Sequence, residues 1–462
     1  MNSAAAPRDW VSAKATKYLP AGSLRARFSL GVIWSLAGAV ISRGFSLIAS
    51  IVCARFLGKT GFGELGMIQS TVGTFGTFAG LGLGLTATKY VAESRSRDAV
   101  KVGRILALSA VVAFLSGALM ASLLAVTASS LSRTVLKDGG LVGPLAAASG
   151  LVFFGALNGA QTGALAGFEA FRTIAGVNVW AGFLSFPLVV LGVWRWGLDG
   201  AVWGLVAAMA VNWLFNNRAL RRECRRSGIA YDLKRCHREW RILYRFSLPA
   251  FLASVVVGSA LWICNMLLVH QPNGYSQLGL YTAADRWRLL VLFIPTSAFS
   301  MAVPVLSNLH GAGDASGFSR VFRANLLLNS MLVLSIALPI VALSRWIMAM
   351  YGRPFRPGWP ILVILAFSAL PEALNTILGH PLIVTGAMWW RCGFDVLLGA
   401  LLVGTAAALI PRWGPIGLAC AYGLAFSISS ACLYFWGTVA IARIVVAEPL
   451  QCAHPEDAQS DQ

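Results

Sequence analysis

The sequence predicts an all-α polytopic membrane protein, with about twelve transmembrane helices in two six-helix pseudo-repeat lobes around a central cavity. Three observations carry that prediction. The 462 residues are 57% hydrophobic and 12% charged, with a mean hydropathy of +0.71, whereas a soluble chain carries about 25% charged residues. Apolar runs of about 20 residues recur from Leu30 to Ile444, each long enough to cross a hydrocarbon core of about 30 Å. Short phrases also recur in chain order at nearly one offset.

The chain opens with a polar, basic stretch over residues 1–29 (Arg8, Lys14, Lys17, Arg25, Arg27), which reads as a cytoplasmic tail. The run from Leu30 is too long for a signal peptide and leads into Arg55, so it reads as a first span. Further spans begin near Phe62, Ile105, Leu141, Ala175 and Asp199. After a basic stretch they resume near Phe246, Tyr275, Leu326, Trp359, Gly393 and Pro415. Pro and Gly mark the short loops, as in "RWGLDG" at Arg195 and "PRWGP" at Pro411.

The phrases pair the halves. "TGFGELGM" from Thr60 faces "NGYSQLGL" from Asn273, about 213 residues on. "RWGLDGAVWGL" from Arg195 faces "RWGPIGLACAYGL" from Arg412, and "ALN" at Ala156 faces "ALN" at Ala373, both about 217 residues apart. Six spans is an even number, so both copies enter from the same side, about an axis along the membrane normal. The first phrase reads as the outer turn into the second span of each half, with Gly permitting a tight turn and close packing. The expected division is a tail over 1–29, an N-terminal lobe over 30–217, a basic cytoplasmic linker over 218–245, a C-terminal lobe over 246–443 and a cytoplasmic tail over 444–462.

Net charge is +19. With the N-terminus inside, the inner segments hold roughly 25 Lys and Arg and the outer loops roughly 10, the positive-inside bias. This excludes nucleic acid as the reason for the charge. It places both termini and the block Arg218 to Arg245, with about ten basic residues, in the cytoplasm against anionic lipid. The eight cysteines (Cys53, Cys224, Cys236, Cys264, Cys392, Cys420, Cys432, Cys452) form no CxxC pair and read as free thiols, with no metal site.

Polar residues inside spans point to a site. Ser35, Ala39, Ser42, Arg43, Ser46 and Ser50 share one face of span one, and Ser247, Ser254, Gly258 and Asn265 share a face of its repeat partner, span seven. Such stripes suit a wet cavity between lobes, or tight helix packing. Arg43 lies deep in its span, where an unpartnered charge costs at least about 2.5 kcal/mol, so it needs water, a carboxylate or an anionic ligand. In span eight, Asp285 and Arg288 can pair, which leaves Arg286 pointing elsewhere. Lys89 ends span two, as a boundary charge or the inner rim of a cavity. Candidate substrate contacts are therefore Arg43, Ser46, Lys89, Asn265, Arg286 and Arg288. Glu372 follows Pro371 in span ten, where the proline frees a carbonyl. Glu372, Asp285 and His380 are the candidates for coupling to an H+ or Na+ gradient. Arg391 and Asp395 read as a structural pair. Gly76, Gly80 and Gly84 form overlapping GxxxG motifs expected to pack closely.

"RFLGKTGFGELGMIQSTVGTFGTFAGLGLGLTATKYVAESR" (Arg55 to Arg95) resembles the start of bacterial polysaccharide-biosynthesis transporters, the O-antigen flippases of the multidrug/oligosaccharidyl-lipid/polysaccharide exporter superfamily. "AADRWRLLVLFIPTSAFSMAVPVLSNLHG" (Ala283 to Gly311) resembles the same family's eighth span. The resemblance covers roughly Leu30 to Ala442. It implies two six-helix lobes in the bacterial inner membrane. It also implies flipping of an undecaprenyl-pyrophosphate-linked glycan by alternating access, with the polysaccharide polymerase machinery as partner and no bound cofactor. Two other readings stay open at this point. A multidrug exporter of the same superfamily usually places an acid in span one, where this chain has Arg43. A membrane enzyme of glycan assembly needs a large outer loop bearing catalytic residues, and the loops here are short.

Overall fold

The computed structural model describes residues 24–95, 98–232, 235–240, 248–299, 306, 309, 314–384 and 387–447. The expected tails over 1–23 and 448–462, with Cys452, and Ser247 of the span-seven stripe lie outside these. Among the described residues every regular element is a helix. In chain order these are α1 (Leu24–Gly80), α2 (Leu83–Ser94), α3 (Ala99–Ser130), α4 (Val142–Gly167), α5 (Phe171–Arg226), α6 (Leu248–Val269) and α7 (Gly274–Phe299). They continue as α8 (Ala315–Ala342), α9 (Ser344–Met350), α10 (Trp359–Leu378), α11 (His380–Val384) and α12 (Met388–Ala447). Seven of the described helices are long and apolar enough to cross a membrane.

Three of the helices are bent back by one or two residues. The breaks fall at Gly58 (φ 69°, ψ −173°) in α1, at Trp196 and Gly197 in α5, and at Gly414 in α12. Positive φ at these points suits glycine, which lacks the Cβ that would clash. Gly197 (φ 58°, ψ −130°) and Gly414 (φ 53°, ψ −127°) have nearly the same backbone geometry, and they are the glycines of the two "RWG" phrases. Around Gly197 the legs of α5 run antiparallel in close contact: a Cβ on Gly200 would lie 1.9 Å from the Gly192 carbonyl oxygen. Around Gly414 a Cβ on Gly417 would lie 2.3 Å from the Leu409 carbonyl oxygen. The sixth leg does not stop at 217, since α5 continues as helix to Arg226. The first part of the expected linker is therefore helical.

α1, α3, α4 and α5 pack together in the first half, and α6, α7, α8, α10 and α12 in the second. The halves meet where α1 crosses α6 and α7. The repeated phrases sit at that crossing. A Cβ on Gly63 would fall 1.8 Å from the Tyr275 carbonyl oxygen, and one on Gly279 would fall 2.0 Å from that of Lys59. The expectation about these phrases needs a correction. The turns themselves are made by Gly58 and Asn273 (φ 55°), just before or at the start of each phrase, and most of the phrase is helical. Gly63, Gly66 and Gly279 serve the contact between halves. Gly274 does serve its turn, since a Cβ there would meet the Val269 carbonyl oxygen at 2.1 Å.

The GxxxG expectation also changes. The second span breaks at Leu81 and Gly82, both at positive φ, so Gly84 leaves the face shared by Gly76 and Gly80. Gly84 packs closely, with Gly163 against its carbonyl oxygen, but Gly76 and Gly80 have nothing within 4 Å of a modest side chain. They border a cavity of about 310 Å³ whose far side includes Phe251 and Ser254 of α6.

Candidate functional site between the halves

The end of the molecule that carries the Gly58 and Asn273 turns is sealed. Phe62, Tyr351 and Phe355 cluster there with ring centroids 5.7 to 6.2 Å apart. Tyr275 donates its hydroxyl to the Leu136 carbonyl at 2.9 Å, and Arg55 donates from Nε to the Met350 carbonyl at 2.7 Å. Apart from the Tyr351–Phe355 ring contact, each of these joins the first half to the second. Further along α1, Trp262 Nε1 donates to Thr71 Oγ1 at 3.0 Å and Asn265 Nδ2 donates to Ser70 Oγ at 2.9 Å. Asn265, expected to contact substrate, thus holds a side-chain hydrogen bond between the halves.

Arg43 and Arg286 converge beyond this seam. The Arg43 guanidinium lies over the Phe293 ring of α7, with Cζ 5.2 Å from the centroid. A cation is drawn to the negative face of such a ring. Arg286 donates from Nη2 to the Gln69 side-chain oxygen, and its Nε is buried without a partner. The two charges are close enough to repel one another. Neither has a carboxylate within ion-pair distance among the described residues, in contrast to Arg288. Two like charges held together without a counter-ion among the described residues are charges that a bound anion would neutralise. Ser46, three residues from Arg43, is exposed. Ser42 of the same stripe instead packs on α5, where Gly182 makes room for it. The side chains of Ser35 and Ala39 lie outside the described set.

Arg288 has a different role. It is almost fully buried. Its Nε donates to Asp285 Oδ1 at 2.7 Å, and its Nη1 donates to Glu372 Oε2 and to the Tyr422 hydroxyl. The guanidinium also lies 4.4 Å from the centre of the Tyr422 ring. The sequence expected the Asp285 pair, but Glu372 and Tyr422 take the donors that a substrate would need. One guanidinium faces two carboxylates, so the cluster carries a net −1 when both are ionised. Glu372 and Asp285, two of the ion-coupling candidates, are therefore in one cluster.

His380 is not in it. Its turn of helix lies beside Arg391, whose Nη1 occupies the space next to Gly379, and Arg391 pairs with Asp395 at 2.9 Å as expected. Lys89 lies on the surface near Glu93, 4.0 Å away, apart from Arg43 and Arg286. Among the described residues no group of three or more His, Cys, Asp or Glu could hold a metal ion, and the seven described cysteines are free. Gln69, Ser70 and Tyr422 were missed in the sequence. Gln69 and Ser70 sit in the second span's "MIQST", polar residues in an apolar run that could have drawn attention.

Residues 29–310 match the family model described as polysaccharide biosynthesis protein. The chain is 24% identical over 431 residues to EpsE, an EPS I polysaccharide export inner membrane protein of Ralstonia nicotianae, covering 91% of this chain and 94% of that one. It is 30% identical over 227 residues to multidrug resistance protein NorM of Deinococcus radiodurans, covering 46% and 48%. Its fold is similar to an inward-facing multidrug resistance MATE family transporter of the MOP superfamily, with a TM-score of 0.74 at 14% identity, covering 90% of this chain and 99% of that one. The chain belongs to the polysaccharide biosynthesis protein family; seven of its described helices are long and apolar enough to cross a membrane, and its fold is similar to that of MATE family transporters.

Proposed function

We propose that the chain flips undecaprenyl-pyrophosphate-linked oligosaccharide from the inner to the outer leaflet by alternating access. The observation that carries this reading is the pair Arg43 and Arg286, converging between the halves with no carboxylate among the described residues to neutralise them. A pyrophosphate brings at least two negative charges, and each planar guanidinium grips phosphate oxygens in pairs. The sealed end, from Arg55–Met350 to Asn265–Ser70, is the gate that opens to release the glycan outside, with both termini and the basic linker in the cytoplasm. The Asp285–Arg288–Glu372 cluster supports coupling. Its surplus negative charge is relieved by taking up one H+ or Na+, and Glu372, which reaches the cluster from a different helix than Asp285 and Arg288, is the carboxylate assigned to that uptake.

The NorM relative favours a second reading, export of cationic drugs. The first leg of α1 argues against it, because its deep charge is Arg43 and it holds no Asp or Glu. The deciding experiment is reconstitution in liposomes with a lipid-linked oligosaccharide, scoring glycan made accessible from outside. Flipping that falls with Arg43→Ala supports the proposal. Transport of cationic drugs with no flipping overturns it.

A further inference from the structure

The sixth leg of the chain, the second half of α5, ends in arginines. Arg218, Arg221, Arg222, Arg225 and Arg226 follow the i, i+3, i+4, i+7, i+8 spacing of one helix face. They line a hollow of about 460 Å³. A second cavity of about 450 Å³, between α3, α4 and α5, shares Arg221 and Arg225 with it. One wall is apolar, formed by Leu106, Ala113, Leu157 and Ala160. The other is polar, formed by Gln161, Asn217, Arg221 and Arg225. Ile229, Ala230 and Tyr231, just past the helix end, close one side.

Charge and hydrogen-bonding capacity are left over here. Arg226 pairs with Glu223 at 3.3 Å and Arg104 with Asp232 at 3.4 Å. Arg218, Arg221, Arg222 and Arg225 have no carboxylate within ion-pair distance among the described residues. A free phosphate would satisfy the arginines but leave the apolar wall facing water. A hydrocarbon chain alone would leave the arginines unpaired. A molecule with both a phosphate and an acyl chain satisfies the two together.

We propose that this is a site for one anionic phospholipid of the adjoining leaflet. The phosphate meets Arg221 and Arg225, and one acyl chain lies along Leu106, Ala113, Leu157 and Ala160. Because Ile229 to Tyr231 begin the segment that leads to the second half, an occupied site holds that segment against the first half. The inference stands apart from the transport reading and from the Arg43–Arg286 pair.

The test uses the full-length protein, purified from membranes and offered phosphatidylglycerol or chain-matched phosphatidylcholine, with retained lipid counted by native mass spectrometry. Wild type retains one phosphatidylglycerol in preference to phosphatidylcholine. Arg221→Gln with Arg225→Gln lowers that retention at least about tenfold, a change of about 1.4 kcal/mol. Ala110→Phe also lowers it. Ala110 is an exposed residue at the cavity wall, so the ring narrows the slot without changing charge. Three results overturn the proposal: equal retention of the two lipids by wild type, unchanged retention in Ala110→Phe, or displacement of the lipid by millimolar inorganic phosphate. The last would assign the arginines to a soluble anion. The wild-type comparison of the two lipids decides the matter even if a variant fails to accumulate.

Discussion

Gly63 and Gly279 pass each other where the two halves cross, so close that a Cβ on Gly63 would lie 2.9 Å from the Gly279 nitrogen. Backbone meets backbone here, and no side chain can give way. Gly63→Val therefore forces α1 and α7 apart, at a cost of about 1–3 kcal/mol from overpacking. The buried Cys53, 2% exposed on the leg that leads into this crossing, should become reactive to an impermeant thiol reagent added from outside. The check is labelling in a background where the other cysteines are replaced. Cys53 that stays unlabelled would mean the crossing is not a moving gate.

Arg43 makes a ring contact with Phe293 but no ion pair among the described residues. Arg43→Ala should reduce glycan export severely, on the order of 2 kcal/mol of lost binding to a charged group, and Arg43→Lys should keep part of it. Neither variant strands a carboxylate, so both should reach the membrane in normal amount. Surface glycan measured beside membrane abundance checks this. Full export by Arg43→Ala would leave Arg286 as the sole anchor.

Arg288 should behave in the opposite way. Arg288→Ala leaves Asp285 and Glu372 side by side without a counter-charge, a loss of about 3–5 kcal/mol for a buried pair, and membrane abundance should fall. Glu372→Gln removes the surplus charge and keeps the Asp285 pair. It should accumulate normally and lose the ion dependence of transport in liposomes held at different H+ or Na+ gradients. Ion dependence that persists in Glu372→Gln would make the cluster purely structural.

Asp314 caps α8, accepting the backbone N–H of Gly317 at 2.8 Å and the hydroxyl of Ser316 at 2.9 Å. These bonds favour the carboxylate and hold its pKa below the usual Asp value, with the Gly317 bond contributing most. A lowered pKa means that its support of the helix is fully present above the ordinary Asp range and is lost as pH falls through the lowered value. Protection of the Gly317 amide relative to its intrinsic exchange rate at each pH should fall over that acidic window. In Asp314→Ala that protection should be low at every pH.

The helices, their order and two of their reversals were legible because apolar length and Gly placement are local properties. The Asp285–Arg288 and Arg391–Asp395 pairs were legible for the same reason, since residues three or four apart share a helix face. Partners on other helices were not. Glu372 reaches Arg288 from α10, and Gln69 reaches Arg286 from α1, through helix rotations that no spacing within one helix encodes. Gly76 and Gly80 carried a packing motif, yet the break at Leu81 and Gly82 turns the rest of the motif away from them. The motif states what a glycine permits, and the neighbouring helix decides whether it is used.

The hairpins at Gly197 and Gly414 also bear on the chain's ancestry. Leu188 meets Gly204 and Gly192 meets Gly200 in the first. At matching positions in the second, Thr405 meets Ala421 and Leu409 meets Gly417. The side chains at these positions differ: Gly192 has Leu409 as its counterpart, and Gly204 has Ala421. Neither copy has gained or lost a residue between the paired positions. What the two copies have kept in common is the spacing of a backbone reversal, which an insertion or deletion would have put out of phase.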